Sequence, residues 1–220
     1  MLPIVPDAWP YVWKLLALAA VTGFLGWETL AWASLGLTAF VVFFFRDPER
    51  EVPMEPGLVV SPADGTVLRV DSVEEPFVGG PAVRVSIFLS VFNVHVNRSP
   101  ITGTVLFQTY RQGKMLPAFR DHASELNERN TLGIEGQGIR VVVHQITGML
   151  ARRIVCRVGP GDRLRRGQRF GLIKLGSCTE LILPEGVELR VQPGQMVAGG
   201  RTVIARIPDV RTTEPRSPAP

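Results

Sequence analysis

Two cysteines and three histidines are few for a chain of 220 residues. Cys156 and Cys178 have neither metal-ligand spacing nor the pattern of a disulfide framework. A cysteine-held metal and a stapled secreted scaffold are therefore excluded, no metal is expected, and the thiols read as reduced in a cytosolic compartment. Charge is also scarce at one end. Residues 1–45 carry a single basic side chain, Lys14, and two acidic ones, Asp7 and Glu28. No soluble domain builds its surface from such a segment, so a membrane role is the first expectation.

The apolar run covers residues 11–45, after an N-terminal segment of residues 1–10. It falls into two stretches of 17 residues around Gly26-Trp27-Glu28, a break suited to a hairpin. Each half is about 25 Å long as helix, against a hydrocarbon core of about 30 Å. The hairpin is expected to span twice or to dip into one leaflet. Trp9, Trp13 and Trp27 suit the interfaces, and Lys14 can snorkel. Arg46 and Arg50 follow directly and favour a cytoplasmic position at the inner membrane for the rest of the chain. A signal peptide is the competing reading, since Ala31-Trp32-Ala33 resembles a cleavage site. The start lacks a basic region, however, and the apolar run continues past that point.

What is plentiful beyond residue 46 is punctuation by Gly and Pro. Short β-branched runs such as GLVVSPADGTVLRVD, PAVRVSIFLSV, GIRVVVHQI, FGLIKLG, TELILP and RTVIARI read as strands. Only residues 115–129 look helical or like a long loop. Residues 208–220 hold four prolines and few apolar side chains, the composition of a disordered tail. Residues 158–173 and 191–206 share V-x-P-G, an aliphatic seventh residue and a glycine tenth, at an offset of 33. Two such turn-strand units predict a mainly β domain over residues 46–207. The pattern resembles a barrel-sandwich hybrid of the lipoyl and biotinyl hammerhead kind.

Beyond residue 45 there are 23 Lys and Arg against 18 Asp and Glu, and seven arginines lie between Arg152 and Arg169. Such a cluster is either a solvated face or a site for phospholipid headgroups, nucleic acid or phosphorylated metabolites.

Chemistry concentrates at Gly176-Ser177, between two apolar strands. A glycine on the acyl side leaves the carbonyl open, and the serine hydroxyl can attack it through a five-membered ring to give an ester. β-Elimination across Ser177 then frees the upstream chain, and tautomerisation with loss of ammonia leaves a pyruvoyl group. The reaction needs a base and donors for the oxyanion. Of the histidines, His122 reads as a surface residue and His144 as a core residue in an apolar strand. His95, among Asn93, Asn97 and Arg98 at a strand end, is the better base. Asp64, in Ser61-Pro62-Ala63-Asp64-Gly65, is either a turn aspartate or, if it faces His95, the group that fixes the imidazole tautomer.

FFRDPER, SPADGTV, LSVFNVHVNRSP, SELNERN, QITGMLARRI and FGLIKLGSCTELILP follow one another in this chain. In that order they resemble the short, bacterial and archaeal type of phosphatidylserine decarboxylase, over residues 40–206. The resemblance implies a membrane-bound proenzyme cut between Gly176 and Ser177. Residues 1–176 would form the β chain and residues 177–220 the α chain, with room for a homodimer and no role for nucleic acid. It implies that Ser177 becomes a covalent pyruvoyl cofactor, with Asp64 and His95 as catalytic residues. Phosphatidylserine would form a Schiff base with the pyruvoyl and lose CO₂ to give phosphatidylethanolamine, His95 being the first candidate to protonate the α-carbon. Arg98, Arg152 and Arg153 are candidates for the substrate phosphate. Two departures stand out: Arg98 occupies the place of a second histidine in longer relatives, and Cys178 follows the serine. Three alternatives are a membrane-anchored Ser-His-Asp hydrolase, a non-catalytic hammerhead carrier, and an archaetidylserine decarboxylase with the same headgroup chemistry. The carrier's usual lysine tip is not evident, since Lys174 lies in an apolar strand.

Overall fold

The computed structural model describes residues 3–114, 126–148, 153–174 and 177–208. The apolar N-terminal run forms two helices, α1 (Trp9–Phe24) and α2 (Glu28–Phe44), which pack against each other. Pro10 sits in the first turn of α1, where its missing N–H costs no helical bond. Between the helices Gly26 adopts φ 75°, the left-handed conformation that favours glycine. Small residues let the pair approach: Gly23 faces Ala31, and Ser34 and Thr38 are buried. The hydroxyls of Thr22, Ser34 and Thr38 donate to carbonyls of the preceding turn, so they need no water. Ala31-Trp32-Ala33 lies inside α2.

Among the described residues no helix is long and apolar enough to cross a membrane. At 16 and 17 residues the helices reach about 25 Å, short of a hydrocarbon core of about 30 Å. Of the two dispositions expected for this segment, spanning twice is the one these lengths do not support.

The rest is mainly β, as the punctuated runs predict. The strands are β1 (Leu58–Val60), β2 (Gly65–Glu75), β3 (Gly80–Leu89), β4 (Val96–Arg98), β5 (Gly103–Arg111), β6 (Arg129–Gly136) and β7 (Ile139–Thr147). They continue with β8 (Arg153–Cys156), β9 (Arg163–Leu164), β10 (Arg169–Lys174), β11 (Ser177–Pro184), β12 (Glu188–Leu189), β13 (Met196–Val197) and β14 (Val203–Arg206). An eight-stranded antiparallel sheet runs β13-β2-β3-β11-β7-β6-β5-β9, beside two three-stranded sheets, β1-β14-β12 and β4-β10-β8. Alternation along the central strands selects one face for the main core: Val85, Ile87 and Leu89 from β3, Leu181 and Leu183 from β11, Val141 and Val143 from β7. Of the stretch 115–129, residues 115–125 lie outside the described residues, and Arg129 already begins β6. The tail beyond Pro208 lies outside them too.

The echo at an offset of 33 is structural. Gly161 and Gly194 turn into β9 and β13, and Gly167 and Gly200 turn out of them towards β10 and β14. β9 and β13 occupy opposite edges of the large sheet. Two Ser-Pro loops meet these units in matching ways. Ser61 and Ser99 each donate a side-chain hydrogen bond of 2.7 Å to the carbonyl two residues on. Val60 N–H donates to the Pro100 carbonyl, and Arg98 N–H to that of Pro62, both at 2.9 Å. Gly200 and Gly167 N–H donate to the carbonyls of Ser61 and Ser99, both at 2.8 Å. Two like halves thus interlock at the Ser-Pro loops, which places β4 beside the central strands.

The helical pair stands on this body through a second apolar cluster. Val5, Ala8 and Val12 from the N-terminal side and Phe44 and Phe45 from the end of α2 pack on Val94, Val96 and Leu172. Arg157 and Lys174 pair with Asp7, and the Arg46 guanidinium donates to the Phe92 carbonyl at 2.6 Å. The end of the helical pair is therefore held against the loop that leads to His95.

Candidate active site

Ser177 is the first residue of β11, paired with Leu89 of β3 on one side and Thr147 of β7 on the other. Its side chain is fully buried, and its Oγ has no hydrogen-bond partner among the described residues. A buried hydroxyl left unpaired costs about 1–3 kcal/mol, which a core serine avoids by bonding to its own backbone. Gly176, on the other side of the expected scissile bond, lies outside the described residues, as do His122 and Arg152. β11 is held firmly on its opposite face, where Glu180 accepts from Ser86 Oγ at 3.1 Å and faces Arg69 and Arg84 at 3.6 and 3.9 Å.

His95 lies just before β4, and its carbonyl accepts from Ile173 N–H of β10 at 3.1 Å. Ser90, through its N–H and Oγ, holds the side chain of Asn93 in a tight turn. That turn aims the Asn93 carbonyl at His95 Nδ1, 2.9 Å away. A carbonyl only accepts, so Nδ1 carries the proton and Nε2 presents a bare lone pair. Nε2 is buried and has no partner among the described residues. The Phe44 ring lies 4.3 Å from the imidazole, centroid to centroid. Burial lowers the His95 pKa to about 4, opposed by the Asn93 bond and aided by the nearby Arg46 charge. At neutral pH this imidazole is a neutral base.

Asp64 does not take the place that a Ser-His-Asp relay requires. One carboxylate oxygen accepts from Arg50 at 2.7 Å and the other from Gly199 N–H at 2.7 Å, while His95 Nδ1 is held by Asn93. Asp64 caps the first Ser-Pro loop, much as Thr102 Oγ1 accepts from Arg166 N–H in the second. Burial raises the Asp64 pKa against the opposing pull of Arg50. Asp64 and Asn93 nevertheless line one open cleft, with Met196, Val197 and Arg201. His144 is buried on β7, its Nδ1 3.0 Å from Thr131 Oγ1.

The structure also shows a buried polar chain that no local pattern announces. Gln108 donates to Asn130 at 3.0 Å, Asn130 to Gln145 at 2.9 Å, Gln145 to Asn97 at 2.9 Å, and Asn97 to Thr179 Oγ1 at 3.0 Å. It ties β4, two residues beyond His95, to β11, two residues beyond Ser177. The clue available from sequence is amide side chains interrupting the apolar alternation of β6 and β7.

The model of the phosphatidylserine decarboxylase family matches residues 37–205. A protein named phosphatidylserine decarboxylase proenzyme in Symbiobacterium thermophilum is 55% identical over 93% of this chain and 96% of its own. One so named in Carboxydothermus hydrogenoformans is 54% identical over 89% of this chain and 93% of its own. A third, in Geotalea uraniireducens, is 42% identical over 94% and 97%. This chain belongs to the phosphatidylserine decarboxylase family.

Within this family member the arginines assigned to a substrate phosphate are placed differently from one another. Arg98 is 4% exposed, and its guanidinium donates to Asp47 at 2.8 Å and to the carbonyls of Pro48 and Gly167. Both terminal nitrogens are thus engaged, and the side chain acts as an internal clamp. Asp47 also holds Arg169 at 2.5 Å, so the stretch after α2 is fixed to β4 and β10 together. Arg153 is exposed on β8. A cleft of about 610 Å³ is lined by Arg50, Arg98, Arg165, Arg166 and Arg169. Asp64, Asp47 and Glu49 neutralise three of these, which leaves the cleft only weakly cationic. Among the described residues no group of His, Cys, Asp and Glu could hold a metal ion.

Proposed function

We propose that this chain is a self-processing decarboxylase that makes a pyruvoyl group from Ser177 and converts phosphatidylserine to phosphatidylethanolamine at a membrane surface. The observation that carries it is the pair of buried atoms without partners, Ser177 Oγ and His95 Nε2, in a member of this family.

His95 Nε2 takes the hydroxyl proton of Ser177. Oγ attacks the Gly176 carbonyl carbon, the peptide C–N bond breaks, and the nitrogen takes up the proton, leaving an ester. Removal of the Ser177 α-proton expels the Gly176 carboxylate with the C–O electron pair. The dehydroalanine that remains tautomerises and adds water, releasing ammonia. The orphaned hydroxyl fits this chemistry, since a serine committed to a backbone bond is a poorer nucleophile. At residue 177 a pyruvoyl group would supply a carbonyl for the substrate amine and an electron sink for the bond that loses CO₂. His95, dry and with Nδ1 fixed, is the group that moves protons beside it, and Asn93 keeps its tautomer. A relay-type hydrolase is disfavoured because Asp64 is engaged by Arg50 and Gly199.

The helical pair supports membrane attachment. Trp13, Phe24 and Trp32 are 64%, 92% and 71% exposed, and no soluble surface needs such side chains. At this length the pair dips into one leaflet, with the β domain on the cytoplasmic side. The two interlocked halves support kinship with the barrel-sandwich hybrid fold.

Intact-mass measurement on the purified full chain tests the proposal. The expected result is a fragment ending at Gly176 and a 44-residue fragment, residues 177–220, with a blocked N-terminus. Ser177→Ala should remain one inactive chain. Full activity from an uncut wild-type chain would overturn the pyruvoyl reading.

A further inference from the structure

The buried amide chain has a direction, and the direction has a terminus. Asn97 Nδ2 lies 3.4 Å from the Pro62 carbonyl as well as 3.0 Å from Thr179 Oγ1. Gln145 Nε2 lies 3.5 Å from the Val155 carbonyl as well as 2.9 Å from Asn97 Oδ1. Carbonyl oxygens cannot donate, so each amide must turn its NH₂ toward them, and both orientations are fixed. Each link then donates in one sense, from exposed Gln108 inward to Thr179. Thr179 Oγ1 is an acceptor in this chain, so its own proton is used by no other link. No acceptor for that proton is found among the described residues. Successive donors polarise one another, so the last O–H in such a chain is a strengthened donor.

Thr179 lies on β11 two residues after Ser177. Strand alternation puts both side chains on the same face, about 7 Å apart. The phosphodiester arm of a serine headgroup attached at residue 177 covers a similar length. The Thr179 oxygen serves Asn97 as an acceptor, so only the proton of this hydroxyl has no structural use.

We propose that the Thr179 hydroxyl binds a phosphodiester oxygen of the lipid headgroup, oriented for it by Asn97 and Gln145. This rests on the decarboxylase reading given above. Asn97 and Gln145 are positioning residues; Thr179 touches the substrate. Donation to the phosphodiester, not to the scissile carboxylate, keeps the hydrogen bond clear of the group that must lose its charge. Ser177 and Thr179 are both fully buried in the uncut chain. The assignment therefore concerns the processed chain.

The test uses the processed full chain in detergent, with dihexanoyl phosphatidylmethanol as probe. This lipid is a phosphodiester with neither amine nor carboxylate, so it binds without reacting. Calorimetry should show binding to wild type, a loss of about ten- to a hundredfold in Thr179→Val, and near-complete recovery in Thr179→Ser, as for a hydrogen bond to a charged group. With phosphatidylserine, Thr179→Val should raise KM more than it lowers kcat. Equal binding by wild type and Thr179→Val would overturn the assignment, as would a serine variant as weak as the valine one. So would a valine variant that stays uncut while the serine variant is cut, because the hydroxyl would then act in cleavage. Failure of the decarboxylase reading shows separately, as a wild-type mass without cleavage.

Discussion

The Phe44 ring, at the end of α2, lies 4.3 Å from the His95 imidazole, centroid to centroid. Residues 51 positions apart in sequence thereby join the element with the most exposed apolar surface to the candidate base. The contact explains why His95 is dry. Lifting α2 off the β domain would therefore wet the imidazole.

That dryness fixes the pH behaviour. His95 has its pKa lowered to about 4, so the folded chain binds fewer protons than the unfolded chain between about 4 and 6.5. Stability from this group is complete above the unfolded value and is lost as pH falls through that window. His144, lowered to about 3, acts in the same direction. Self-cleavage should hold steady from neutral pH to about 5 and fall to half near 4, measured as fragment yield against time. A midpoint near 6.5 would show that His95 is solvated or is not the base.

Replacing Phe44 by Ala should move that acid limb upward, toward 6.5, as water reaches the ring. The cavity should also cost about 3–5 kcal/mol, read as a lower denaturation midpoint. Phe44→Leu, which keeps an apolar cover, should retain the limb near 4. An unchanged profile in Phe44→Ala would separate the helix from the base.

His95→Ala should slow cleavage by about 10²- to 10⁴-fold, the range for a general base. Asp64 should respond differently, because its partners are Arg50 and Gly199. Asp64→Ala leaves both unpaired and should slow cleavage. Asp64→Asn can still accept from Gly199 and should recover part of the rate. Equal loss in the two Asp64 variants, at the level of His95→Ala, would show that the carboxylate charge acts on the histidine directly.

The intact chain should pellet with membranes and resist extraction by high salt, since apolar burial is not screened. A chain beginning at Arg46 would keep every candidate catalytic residue yet lose Val5, Ala8, Val12, Phe44 and Phe45 from the cluster on Val94, Val96 and Leu172. It should leave the membrane, unfold at lower temperature and cleave more slowly than the full chain. Release of the intact chain by salt alone would show that the helices are not inserted.

The sequence alone determined the strand content, the break at Gly26 and the paired turn units at an offset of 33, and it marked Ser177 as the candidate for reaction. Each of these is a local matter: alternation, turn residues, and a glycine next to a hydroxyl act within a few positions. Tertiary structure alone decided the partners. Asn97 meets Thr179 across 82 positions, Arg98 meets Asp47 across 51, and Asp64 meets Gly199 across 135. Sequence left open whether Asp64 faces the imidazole; a backbone carbonyl two residues from His95 does the holding. Arg98, a phosphate candidate by sequence, lies buried beside Asp47. The physical reason is the same in each case. Composition and periodicity settle which face of a strand is buried, but only closing the sheets settles which polar atoms must satisfy one another inside.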